Sequence, residues 1–216
     1  FNEKDKLLDK VSIRTLRSCM QEVFEDGPKR DRRLWLGDLR LQALTNYETY
    51  RNNQLVQRCL YLFAGTTLDQ GRLASNLFIE PEVECDYQTM FDYTLFYINS
   101  LWNYYENTKD LETLKDLEPV CESHYELLKN CFVNDVLSVK KAGHIFIDWN
   151  FDLDKQAAGQ AIYIYALKDL LKIKEVLKQD IEELKAEIER KTIAAETFYD
   201  EKTGLFVSGK DRQISF

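Results

Sequence analysis

Proline and glycine are the residues that most readily break helices, and this 216-residue chain has only three of the first and eight of the second. Between them apolar side chains recur three and four residues apart, and period-two alternation is scarce, so the pattern predicts an all-α fold. Leu7, Leu8, Val11, Ile13, Leu16, Met20, Val23 and Phe24 outline a first amphipathic helix that ends at Asp26-Gly27-Pro28. A second runs from about Asp38 to Tyr50, with Leu41, Leu44 and Tyr47 on one face, and Asn52-Asn53 separates it from a third over Leu55–Ala64. Gly65–Glu84 is a long connection containing Gly71 and Pro81. An aromatic-rich fourth helix follows over Asp86–Asn107, Thr108-Lys109-Asp110 interrupts, and a fifth spans roughly Leu111–Val133. Ser138–Asn150 reads as irregular or short strand, and Lys155–Ile173 and Glu175–Tyr199 as two more helices. Asp200–Phe206 reads as a turn leading into a strand-like end. The pattern therefore gives about seven helices joined in pairs. Leu177, Ile181, Leu184 and Ile188 hold a coiled-coil spacing too briefly to specify one, which leaves an outer helix of a globular stack.

Composition narrows the function classes. A net charge of −8 argues against a broad basic surface for nucleic acid. No apolar run approaches the roughly 20 residues that span a bilayer, so no membrane association is expected. Cys19, Cys59, Cys85, Cys121 and Cys131 are odd in number, widely spaced and without a C-x-x-C pair, which points to buried free thiols in a reducing, cytoplasmic setting. His124 and His144 lack metal-ligand spacing and read as structural, so no metal and no cofactor is expected. Homodimerisation is compatible with the pattern.

One segment differs from the helical remainder: Asp26-Gly27-Pro28-Lys29-Arg30-Asp31-Arg32-Arg33-Leu34-Trp35-Leu36-Gly37-Asp38. Its carboxylates, cations and tryptophan lie between two amphipathic helices on a backbone made irregular by Gly and Pro. Such loops are where catalytic groups concentrate, and guanidinium groups beside carboxylates separate their proton affinities. The residues alone leave a second reading open. In it the segment is a charged turn of a helical scaffold, with Arg30 or Arg32 bridging to Asp31 or Asp38, Trp35 in the core and Asp38 as a helix N-cap.

The segment resembles the signature of the α-L-rhamnosidases whose catalytic domain is an (α/α)6 barrel. There, Asp-Cys-Pro-x-Arg-Asp-Glu-Arg-Leu-x-Trp-x-Gly-Asp follows the first barrel helix. Asp26, Pro28, Arg30, Asp31, Leu34, Trp35, Gly37 and Asp38 fit it, with one residue fewer before the tryptophan. Asp92-Tyr93, Tyr104-Tyr105 before Asp110, and Ile147-Asp148-Trp149 are similar to later landmarks of that family. The resemblance implies paired antiparallel helices forming part of an (α/α)6 toroid, with residues 1–216 a single catalytic domain truncated at its C-terminal end. It also implies hydrolysis of a terminal α-L-rhamnosyl or similar deoxysugar bond with inversion, by one carboxylic acid and one carboxylate. The family's acid is the Glu of Arg-Asp-Glu-Arg, which is missing from Arg30-Asp31-Arg32-Arg33, and Asp31 is the nearest carboxylate to replace it. By the same resemblance Asp26 and Asp38 complete the catalytic set and, with Arg30 and Trp35, bind the sugar. Asp148 and Trp149 would join them from a neighbouring loop, and the base would lie beyond Phe216. A barrel lyase using His144 is a further reading, without a cationic partner for a uronate.

If the truncation reading holds, the isolated 216-residue chain releases no rhamnose from an aryl α-L-rhamnoside at an enzymatic rate. Turnover by the purified chain in a reducing-sugar assay would refute it.

Overall fold

A computed structural model describes residues 2–68, 71–150 and 152–209. Helix α1, Glu3–Cys19, starts where Asn2 and Asp5 form a reciprocal capping box. It stops five residues short of the expected end, because Met20 turns back to bridge Phe24 and so drops Val23 and Phe24 into the core. The apolar face read from Leu7, Leu8 and Val11 is 50–69% exposed, and only Leu16 and Cys19 of this helix are buried. The periodicity is real, but its N-terminal half stays exposed among the described residues.

The remaining long helices form three hairpins among the described residues. They are α2 (Leu36–Glu48) with α3 (Asn53–Gly65), α4 (Phe91–Thr108) with α5 (Leu111–Leu128), and α7 (Gln156–Leu177) with α8 (Glu182–Ala195). A four-residue α6, Val139–Ala142, precedes the last pair. Helix α4 is the centre: it packs against α2, α3, α5 and α7, so α2, α4 and α7 make an inner layer backed by the others. The expectation of paired helices stands, with shifted boundaries. Helix α2 begins at Leu36, so Asp38 is its third residue and not its cap, and Leu41 is exposed while Leu39, Ala43 and Tyr47 are buried. Helix α4 begins late because residues before it are held extended, Ser75 N–H donating to the Gln88 carbonyl at 2.9 Å. The last hairpin turns at Lys178, in the left-handed region with φ 56°, instead of near Ile173.

Strands are few and short, as expected, and among the described residues they form three small sheets. The connection from 65 to 84, of which residues 69 and 70 lie outside the described residues, carries β2 (Asn76–Phe78) and β3 (Glu84–Cys85). Strand β2 pairs antiparallel with β1 (Leu34–Trp35), so the connection anchors the charged segment. Helix α5 ends before Val133 because β4 (Phe132–Val133) and β5 (Val136–Leu137) form a hairpin closed by Asn134 and Asp135, both at positive φ. The tail does form a final pair, β6 (Tyr199–Asp200) and β7 (Leu205–Phe206).

His124 is fully buried, its ring edge-on to Tyr97, and neither ring nitrogen has a protein partner among the described residues. Burial lowers its pKa from 6.5 to about 4. The folded chain therefore binds fewer protons than the unfolded one between those values, so this contribution is complete above pH 6.5 and lost as pH falls toward 4. The difference amounts to about 3 kcal/mol. In urea unfolding at pH 7 and pH 4.5, His124→Phe is expected to lose less stability on acidification than the parent; equal losses would contradict this.

Candidate active site

The charged segment is closed by one residue pair. Asp26 N–H donates to the Arg33 carbonyl at 2.9 Å, and Arg33 N–H donates to Asp26 Oδ1 at 3.1 Å. The Asp26 side chain is only 8% exposed, and its other oxygen lies 3.6 Å from Arg30 Nη2. The Arg30 guanidinium folds across Gly27, where a Cβ would stand 2.8 Å from Nε, so a side chain there would push the arginine aside. Arg32, at φ 56°, swings the other way and places Nε 3.2 Å from Glu25 Oε1. The expected bridges from Arg30 or Arg32 to Asp31 or Asp38 are thus replaced by Arg30–Asp26 and Arg32–Glu25.

Asp38 sits in the first turn of α2 beside this closure. Burial raises its carboxyl pKa and the nearby Asp26 raises it further, while its own backbone N–H and Arg30 oppose them. Beneath lies the Cys19 thiol, pushed up by burial and then by Glu25, Asp26 and Asp38. Asp26, Arg30 and Asp38 therefore gather in one place and do not scatter into solvent. Asp31 does not join them. It is exposed, has no hydrogen-bond or ion-pair partner among the described residues, and lines a separate hollow with Glu25 and Arg32.

An aromatic array runs outward from the same point. Trp35, half-buried, meets Tyr93 edge-on at 6.1 Å; Tyr93 meets Phe146 at 5.9 Å; Phe146 meets Trp149 at 5.1 Å. Trp149 is 77% exposed at the outer end. Tyr93 also packs on Phe96, and Arg40 lies over both Phe96 and Tyr165, so α2, α4 and α7 share one inner face. Apart from Tyr165, midway along α7, these side chains lie before or within the first two turns of the three inner helices.

The loop carrying Trp149 is fixed by a residue that the reading of the charged segment did not assign. Asp92, buried in the first turn of α4, accepts from Phe146 N–H and Ile147 N–H, one bond to each carboxylate oxygen, both 3.0 Å. Ile147 is β-branched and at φ 50°, a conformation that needs such restraint. Asp148 is exposed and accepts from its neighbour Trp149 N–H at 2.7 Å, a bond within its own loop. Asp92 and Tyr93 stood in the sequence as a landmark of the resemblance, but neither was given a role in the site. The visible sign was Gly37, where an added Cβ would lie 2.8 Å from the Tyr93 hydroxyl. His144 is exposed, its Nδ1 3.4 Å from the Gln88 amide. Among the described residues no group of three or more His, Cys, Asp or Glu is arranged to hold a metal ion.

Comparison with known proteins places this geometry. The family model described as the bacterial α-L-rhamnosidase six-hairpin glycosidase domain matches residues 3–214. A rhamnosidase from Klebsiella oxytoca with rhamnose bound is similar at 43% identity and a TM-score of 0.88, over 96% of this chain and 41% of that one. A GH78 family rhamnosidase of Bacillus sp. GL1 is similar in fold at 23% identity and a TM-score of 0.76, over 91% of this chain and 21% of that one. The Streptomyces avermitilis α-L-rhamnosidase complexed with L-rhamnose shares the fold at 17% identity and a TM-score of 0.68, over 90% and 19% of the two chains. This chain thus spans about two-fifths or less of each of these relatives. No curated protein matches it.

Because the folded Asp38 carboxyl holds its proton more tightly than the unfolded one, its contribution to stability is present below the ordinary value of 3.8 and lost as pH rises through the folded value. At pH 7 the fold carries a desolvated charge. Asp38→Asn is expected to raise the melting temperature at pH 7, with the gain vanishing at pH 3. A lower melting temperature at pH 7 would show that the carboxylate is held by a partner that outweighs its burial.

Proposed function

The chain belongs to the bacterial α-L-rhamnosidase six-hairpin glycosidase domain family, and from that membership we propose that it carries the acid and sugar-binding side of a site that hydrolyses terminal α-L-rhamnosyl or similar deoxysugar bonds with inversion. The observation that carries this reading is the convergence of Asp26, Arg30 and Asp38 beside an aromatic array that ends at the exposed Trp149, with Asp31 on the same loop unpaired among the described residues.

In the proposed reaction the Asp31 carboxyl gives its proton to the glycosidic oxygen as the bond from the anomeric carbon to that oxygen breaks. Water adds to the anomeric carbon from the opposite face and passes its proton to a second carboxylate, so the configuration inverts. That base is proposed to come from outside residues 1–216, in keeping with three hairpins of a six-hairpin domain. Asp38 and Arg30 suit vicinal hydroxyls as acceptor and donor, and Asp26 keeps Arg30 in place. Trp35 offers an apolar face to the sugar's methyl group, backed by the buried Tyr93, with Trp149 at the rim. Rhamnose bound to the Klebsiella relative supports this choice of sugar.

One observation favours a second assignment: the desolvation that raises the Asp38 pKa would also suit a proton donor. Leaving-group dependence separates the two. In the full-length protein, Asp31→Asn is expected to lose about 10²–10⁴-fold in kcat on a rhamnosyl sugar, yet little on a dinitrophenyl rhamnoside, which leaves without protonation. Asp38→Asn should lose on both. The opposite pattern would transfer the acid to Asp38.

A further inference from the structure

The start of α4, the end of α5 and the short α6 enclose a cavity of ≈ 340 Å³ with Arg72 from the long connection. That volume is within the usual ~300–1,000 Å³ of small-ligand sites. None of Asp26, Arg30, Trp35, Asp38, Tyr93 and Trp149 lines it. Its wall is apolar and buried, with Met90, Phe91, Leu128 and Ala142 each at most 8% exposed. Its only charged lining residues are Arg72 and Lys141, both exposed, in a chain with 37 Asp and Glu against 29 Lys and Arg. Neither side chain has a hydrogen-bond or ion-pair partner among the described residues. Both lie close to one buried sulfur of the wall: burial raises the Cys131 thiol pKa, while Arg72 and Lys141 each lower it. The same thiol donates to the Lys141 carbonyl at 3.6 Å, which fixes that residue at the cavity edge.

Two like charges at one mouth repel each other, and an anion set between them replaces that repulsion with charge-assisted hydrogen bonds. We propose that this cavity binds a small organic carboxylate with an apolar ring, its carboxylate between Arg72 and Lys141 and its ring against Phe91 and Leu128. The two halves of the lining select together. An inorganic anion leaves the apolar wall without contact, and a neutral ring leaves the two cations without a counter-charge.

The test is titration calorimetry of the full-length protein at low ionic strength with three probes: benzoate, its neutral counterpart benzamide, and inorganic phosphate. Benzoate is expected to bind at one site with a Kd of ~1 mM or below, about tenfold or more tighter than either of the others. The double variant Arg72→Gln, Lys141→Gln is expected to weaken benzoate about tenfold or more. Its melting temperature without ligand should match the parent's, because both side chains are exposed and unpaired among the described residues. Benzoate held equally by parent and double variant overturns the inference. So does benzamide or phosphate binding as tightly as benzoate, or no benzoate binding at ten times the expected Kd.

Discussion

The reciprocal pairing of Asp26 with Arg33 is the constraint on which the site depends. Two hydrogen bonds across seven residues turn an irregular, highly charged segment into a closed loop, one made by the Asp26 backbone and one by its carboxylate. Closure brings the second carboxylate oxygen to Arg30 and frees Asp31 to stand outside. The pairing of β1 with β2 then ties the end of this loop to the long connection, so that α2 starts from a fixed point. Asp26 is therefore as much a structural residue as a chemical one, and its low exposure follows from that double duty.

A second carboxylate performs the same kind of service on the facing loop. Asp92 uses both oxygens on consecutive backbone N–H groups and thereby holds Ile147 in a conformation that a β-branched residue seldom adopts. Carboxylates that accept two backbone donors are stiff supports, because charge strengthens each bond. The two anchored loops flank the aromatic array, which bridges them from Trp35 to Trp149.

Much of the architecture was legible in the sequence because helical period survives in long segments. The hairpins α2–α3, α4–α5 and α7–α8 stand close to where the periodicity put them. Boundaries were lost where tertiary contacts overrule local pattern. Met20 and Phe24 look helical in spacing but pair as a bridge, and Asn134-Asp135, too short a signal to mark a turn inside a helical run, closes a hairpin. Within the site, the charged segment announced Asp26, Arg30 and Asp38 through their density. Which arginine meets which carboxylate was not legible, since that depends on the left-handed turn at Arg32. Asp92 and Tyr93 stood out only through the resemblance, and their roles were not legible because Phe146 and Gly37 lie more than 50 residues away along the chain.

Gly37 gives the site a mechanical property. With no side chain of its own, it lets the Tyr93 ring rest directly on the opening turn of α2, a contact that an added methyl group would fill. The neighbouring Asp38 belongs to that same turn. Helix α2 and the aromatic wall are thus keyed together like two parts of a lock: a tilt of one must carry the other. Any movement of this turn would displace Asp38 and the Tyr93 ring as one body.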